Sequence, residues 1–271
     1  MPRYAILGAT GQNGGHVLQT LLDRPDAKIR AFVRSKAKLE KQHPQINRPE
    51  IKTRLTMYEG SITDVDVLAS CLRGTDAAFL CVAAINSQPG CHIAQDQATN
   101  VVAALERIRT SDGKNRRDSG VGGIDGSNTA RLPTLIMLSS AATESKLDDV
   151  PWVLEKILFA ANYHIYIDLI KAEEYLRQRA DWVDAVYFKP GGISDDEATG
   201  HVLSTEKCQT FVSYWDTAAG MVQIADDGER WHGKSVSVQS KRKARPQYEN
   251  LPLLFKGLLV YLFPFLYSWL F

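Results

Sequence analysis

A chain of 271 residues that is 44% hydrophobic can bury one large core, which excludes a disordered segment or a bare linker. Lys plus Arg total 32 against 31 Asp plus Glu, a net charge near +1, so no field of one sign draws the chain to nucleic acid. Its four cysteines (Cys71, Cys81, Cys91 and Cys208) have no metal-ligand spacing, which predicts a reducing compartment and no metal site. Met1 leads straight into "YAILG" without a charged, then apolar leader, so the expected location is cytoplasmic.

Along the chain, short apolar runs alternate with helical patterns. The runs are "RYAILGA" (3–9), "KIRAFVR" (28–34), "RLTMYEG" (54–60), "AAFLCVAA" (77–84), "TLIMLSS" (134–140) and "DAVYFKP" (184–190). Helical spacing predicts helices at about 14–23, 64–72, 93–109 and 152–178. Strands apolar on both faces, each followed by a helix, predict an α/β fold with a doubly wound parallel sheet, a Rossmann domain. Residues from about 190 onward are expected to form a small part that covers the substrate, with 1–250 as one domain and 251–271 as a separate tail. Two stretches break the rhythm. "TSDGKNRRDSGVGGIDGSNTARLP" (110–133) is polar and Gly-rich and reads as a surface loop. "LPLLFKGLLVYLFPFLYSWLF" (251–271) carries one charge, Lys256, and follows the basic run "SKRKARP" (240–246). Its length just suffices for a membrane span, but Pro252 and Pro264 would interrupt a helix. Two readings stay open for it: packing on the domain or a second subunit, or a peripheral membrane contact.

"YAILGATGQNGGHVL" carries glycines at 8, 11 and 14, directly after the first strand and opening the first helix. A sharp turn that admits a pyrophosphate to a helix N-terminus needs residues without side chains. Gly8, Thr10, Gly11, Gln12, Asn13 and Gly14 are therefore the candidate cradle. An acidic residue at the end of the second strand would hold the ribose hydroxyls of NAD; Arg34 stands there instead, and a guanidinium pairs with a 2′-phosphate. NADP is the expected cofactor.

"GATGQNG", Arg34, "EGSITD" after the third strand, "LSSAAT" after the fifth and "KAEEYLRQRADWVDAVYFKPGGISD" occur in an order that resembles the atypical short-chain dehydrogenase/reductases of the NmrA-like, NAD(P)H-binding family. The resemblance covers roughly residues 3–230 and is closest to fungal averufin-oxidase-like members, which act on aromatic polyketides. It implies that Ser61 and Ile62 flank the adenine, with Asp64 near its amino group. Cys81, Val82 and Ala83 would line the ribose and pyrophosphate. Ser139 and Ser140 would approach the nicotinamide, with Ser140 able to bond a substrate oxygen, and Pro190, Gly191 and Gly192 would close over the carboxamide. Lys171 would be the lysine that the family keeps for cofactor or catalysis, and Asn100 would steady its helix.

Familiar relatives place a tyrosine four residues before that lysine. Here the position is Ile167. At roughly 100° per residue, His164 lies about 20° from the direction of Lys171, Tyr163 about 80° and Tyr166 about 140°. His164, Tyr163 and Tyr166 all remain candidate proton carriers, beside wall or core roles for each. "NSQPGCHIAQDQATN" (86–100) adds a conceivable His92/Asp96 acid–base pair, and a Cys91 nucleophile if its pKa is lowered. The leading expectation is an NADP-dependent oxidoreductase that reduces or oxidises a carbonyl/alcohol on a hydrophobic, aromatic small molecule in secondary metabolism. The missing tyrosine leaves two alternatives, a cofactor-sensing protein without turnover and a cofactor-retaining isomerase or dehydratase.

Overall fold

The computed structural model describes residues 1–118, 131–144, 147, 151–242, 244–245 and 248–270. Strands form at Arg3–Leu7 (β1), Lys28–Val33 (β2), Leu55–Glu59 (β3), Ala77–Leu80 (β4), Thr134–Leu138 (β5) and Ala185–Phe188 (β6). Four more follow at Gly192–Ser194 (β7), His201–Ser204 (β8), Phe211–Ser213 (β9) and Ser235–Ser240 (β10). Helices are Gln12–Leu22 (α1), Lys36–Gln42 (α2), Pro49–Lys52 (α3), Val65–Leu72 (α4), Ile93–Asp118 (α5), Trp152–Ala161 (α6) and Tyr163–Arg177 (α7). Tyr214–Asp226 (α8), Leu251–Leu262 (α9) and Tyr267–Leu270 (α10) complete the set.

The main sheet runs β3-β2-β1-β4-β5-β6-β10-β8, and every pairing is parallel except β10 with β8. All four residues of β4 are buried, as a strand covered on both faces requires. Helices α1 and α8 cover one face, with Val17, Leu18, Leu21, Met221 and Val222 against Ile6, Phe79 and Phe188. On the other face α4, α5 and α7 set Leu68, Leu72, Val101, Leu105, Ala172 and Leu176 against Leu7, Leu80 and Tyr187. Between β1 and β4 the strand order reverses direction, and the crevice at their carboxyl ends is where such sheets bind ligands.

Two expectations are corrected. Thr110–Asp118 is not loop: α5 continues through it, because Ala104, Leu105 and Ile108 already anchor the helix on the sheet and the polar turns that follow extend it. The remainder of that stretch up to residue 130 lies outside the described residues. The single helix over 152–178 is two, α6 and α7, which break at Asn162, whose φ of −110° and ψ of 18° leave the helical region. The tail forms two helices, α9 and α10, and its prolines bound α9 as the sequence suggested. Pro252 sits in the first turn of α9, where its missing N–H costs nothing, and Pro264 follows its end. Among the described residues no helix is long and apolar enough to cross a membrane. Helix α9 packs on α6 so closely that a Cβ on Gly257 would lie 2.0 Å from the Ala161 carbonyl oxygen.

Candidate active site

The cradle is built by two glycines that no other residue could replace. Gly8 has φ +90°, a conformation that L side chains avoid, and a Cβ there would meet the Cys81 carbonyl oxygen at 2.9 Å. A Cβ on Gly14 would sit 2.3 Å from the Gly8 oxygen, so α1 can begin against β1 only with hydrogen at that position. Gly11 is the N-cap and offers no side-chain cap, and the first turn holds no acidic residue. The positive end of α1 is thus uncovered. Behind it, Thr10 takes a bond on its carbonyl from Gln42 Nε2 (3.3 Å), and Gln12 one from His16 Nδ1 (2.7 Å). Among the described residues Asn13 Oδ1 is buried without a hydrogen-bond partner, which suits a donor from a ligand. A cavity of about 450 Å³ opens here, bordered by Gly11, Gln12, His16, His43, Ile85 and Trp215. A bare helix N-terminus, an orphaned acceptor and adjoining space fit a dinucleotide's pyrophosphate and ribose.

Around the cradle, the adjacent strand ends supply the other candidate contacts. Arg34 is exposed at the end of β2 with no ion pair among the described residues, while Ser35 behind it caps α2 by accepting from Lys38 N (3.2 Å). Ser61 Oγ accepts from Thr63 N and Oγ1 (3.3 and 2.9 Å), and Ile62 is half-buried against the core. Asp64 accepts from Val67 N at 3.2 Å as the N-cap of α4, which engages one of its oxygens. At the end of β4, burial pushes the Cys81 thiol up to about 12, so it is a packed hydrophobe that offers a ligand only its backbone. Val82 is gripped by the buried Gln97, which accepts from its N–H (3.1 Å) and donates to its carbonyl (3.2 Å). Ala83 follows directly in the same loop. Gln97 went unnoticed in the sequence because nothing local distinguishes a helical glutamine that reaches back to a strand end.

Ser139 and Ser140 follow β5 and have different roles. Ser139 is buried and donates to Glu173 Oε1 (2.5 Å), so its proton is committed. Ser140 Oγ accepts from Ala142 N (3.3 Å), which leaves its own hydrogen available to a ligand oxygen. The loop is tied to the end of β6, where Ala141 N donates to Pro190 O (2.9 Å). Gly191 must be glycine, since a Cβ would lie 2.1 Å from Gln209 O, and Gly192 N donates to Thr210 O (2.8 Å) as β7 pairs with β9. Under these loops lies a charged cluster that sequence reading missed. Lys189, 1% exposed, places Nζ 2.8 Å from Glu173 Oε2, 3.4 Å from Glu144 Oε2 and 2.7 Å from Thr143 Oγ1. Alternation along β6 turns Lys189 away from Phe188 and toward α7, a signal present in "YFKP" but hidden by lysine's usual exposure.

Helix α7 starts at the carboxyl end of the sheet, because helices return antiparallel to the strands. Asp168 fixes it there: the buried carboxylate accepts from Ala94 N (2.8 Å) and Gln95 N (3.0 Å), capping α5 from another helix. His164 Nε2 is buried without a partner among the described residues, and burial lowers the pKa of the ring below its usual value. Tyr163 packs edge-on to His164 (5.2 Å between centroids) and tilts against Tyr261 of α9 (5.1 Å); Tyr166 lies 5.4 Å from Phe159 and packs partly on the core. Lys171 is exposed, on the side of α7 away from Ala172 and Leu176, and no ion pair joins it to Glu174. One conditional reading and one expectation are not met here. Burial and the neighbouring Asp168 raise the Cys91 pKa, the opposite of what a nucleophile needs. Asn100 spends its side chain on its own helix, donating to Asp96 O (2.8 Å), rather than on α7. His92 Nδ1 and Asp96 Oδ2 do meet, at 2.8 Å, on exposed surface.

Comparison with known proteins agrees with this architecture. A family model described as NAD(P)H-binding matches residues 8–228, and the chain belongs to that family. "Oxidoreductase stcQ" of Emericella nidulans is 40% identical over 277 residues, covering 100% of this chain and 94% of that protein. "Oxidoreductase aflX" of Aspergillus parasiticus is 38% identical, covering 99% and 95%. In fold, the chain is similar to a short-chain dehydrogenase/reductase of Veillonella parvula solved in complex with NADP, with a TM-score of 0.65 at 22% identity over 91% of this chain and 99% of that one. With these relatives, the chain is an NAD(P)-dependent oxidoreductase.

Proposed function

We propose that the protein is an NADP-dependent oxidoreductase that interconverts a carbonyl and an alcohol on a hydrophobic, aromatic polyketide-type molecule in secondary metabolism. One observation carries the reading: a glycine turn bare of side chains and an aromatic flank holding an unpartnered imidazole occupy the same end of the sheet. The Gly8–Gly14 turn and the α1 N-terminus would hold the pyrophosphate, Arg34 the 2′-phosphate, and Ser139 to Ser140 and Pro190 to Gly192 the nicotinamide end. The cofactor, when bound, supplies the hydride donor or acceptor. The chain's own part is orientation and proton handling. Ser140 donates its uncommitted hydrogen to the substrate oxygen. His164, whose pKa burial lowers, takes the hydroxyl proton through Nε2. Phe159, Tyr163 and Tyr166 provide an apolar wall that excludes water.

Ile167 in place of a tyrosine, with Lys171 exposed and without an ion pair among the described residues, favours a second reading, a protein that binds NADP(H) as a signal without turnover. NADPH consumption measured on a panel of quinones, flavins and aromatic ketones separates the two. Oxidation of NADPH with at least one aromatic ketone or quinone is expected. Tight NADP(H) binding with no turnover on any of them would instead establish the sensor, and product formed without NADPH loss an isomerase.

A further inference from the structure

Most of the large apolar side chains that stand exposed lie on α6, α9 and the residues after α9, while Met1, Ile85, Ile93 and Val202 stand elsewhere. Trp152 (68% exposed) and Ile157 of α6, Phe255 of α9, and Phe263, Phe265 (72%) and Trp269 (85%) beyond it share the packed α6–α9 pair, joined at the Gly257–Ala161 contact. Surface of this kind marks a docking site. Its charge identifies the occupant. Residues 250–270 hold no acidic side chain; exposed Lys241, Arg242 and Arg245 precede α9, with Asp196 beside the two arginines, and Lys156 Nζ stands 5.1 Å from the Trp152 ring centroid. A second copy bound across a two-fold axis would bring two basic margins together. Anionic lipid headgroups would neutralise them, while Trp and Phe enter the acyl boundary as in interfacial helices. The 12 residues of α9 span about 18 Å, short of the roughly 30 Å hydrocarbon core, so the pair can lie in the surface and not cross it.

We infer that the α6–α9 face seats this protein on an anionic membrane surface. Helix α9 touches the mouth of the candidate site through Tyr261 on Tyr163, and α10 does so through Tyr267 Oη, which donates to Gln88 Oε1 (3.2 Å). On the functional reading proposed above, a lipophilic substrate would then meet the site at the bilayer interface.

The test is flotation of the full chain with vesicles of phosphatidylcholine, with and without phosphatidylserine, beside the double variant Phe265→Glu/Trp269→Glu. Both positions are exposed, and thermal unfolding confirms that the variant folds. Expected are binding to phosphatidylserine vesicles, weakening in high salt, and a partition coefficient lower by at least about tenfold in the variant. Three outcomes overturn the inference: no flotation of the full chain, equal flotation of the variant, or a vesicle-free dimer that the double variant dissolves. The readout uses no turnover, so its failure is distinct from failure of the enzymatic reading.

Discussion

Single residues divide this site into parts that advertise themselves and parts that do not. Gly8 and Gly14 were legible because close backbone approach admits one residue type, and the chain displays that type at the right place, whereas Gly191 was reached only through the family resemblance. Arg34 was equally legible, since a strand end is found by counting from the last glycine. Arg34→Ala should weaken NADP(H) about tenfold or more and leave NAD(H) unchanged, as fluorescence titration of both cofactors would reveal; parallel losses would remove the 2′-phosphate assignment. His164 was only half legible: helical angles set it near Lys171, but its unpartnered Nε2 depends on Tyr163 and on burial that no local pattern encodes. Its lowered folded-state pKa fixes a sign. The unfolded chain binds the proton more readily, so this residue's stabilising contribution is whole above about pH 6.5 and is lost as pH falls from there through the folded-state value. His43, also lowered by burial, acts in the same direction. Urea midpoints near neutrality and near pH 5.5 should therefore diverge less in His164→Gln than in the unaltered chain; equal divergence would deny His164 a share.

Among elements, helices with strong apolar periodicity were readable, and those set by neighbours were not. Helix α5 outran its expected end because anchoring on the sheet carries polar turns that propensity alone would leave as loop. The break at Asn162 is a packing event between α6, α7 and α9, and the 152–178 pattern is continuous through it. Strands β7 to β10 were missed for a related reason: three to six residues with mixed polarity gain their identity from the partner strand. The cluster joining β6 to α7 illustrates energetics at this scale. Lys189→Met would leave Glu173 buried next to Glu144 with no ammonium between them, a loss of about 3–5 kcal/mol in denaturant unfolding. Adding Glu173→Gln neutralises that carboxylate and keeps an acceptor for Ser139, so the double variant should recover more than half. A single variant within about 1 kcal/mol of the original would show that Arg177, 3.7 Å from Glu173, already suffices.

At the scale of the molecule, alternation of strand and helix made the parallel sheet readable, and the far edge of that sheet was not. Strand β10 holds to β6 in parallel over Ser235 and Val236, then turns its later residues to β8 in antiparallel register from Ser237 to Ser240. One continuous segment thus belongs both to the nucleotide-binding sheet and to the part that follows it. Buried Val236 and Val238, each fully enclosed, weld the two. A hinge between them would have to break a strand in its middle, so opening of the site falls to the loops and the tail. Amide hydrogen exchange should register this as one cooperative unit: Val238 and Gln239 should exchange as slowly as β1 and β4, by global unfolding, while amides in 84–92 exchange through smaller local openings. The clock of substrate exchange is then set by short segments moving in nanoseconds to microseconds, not by the slower swing of a domain.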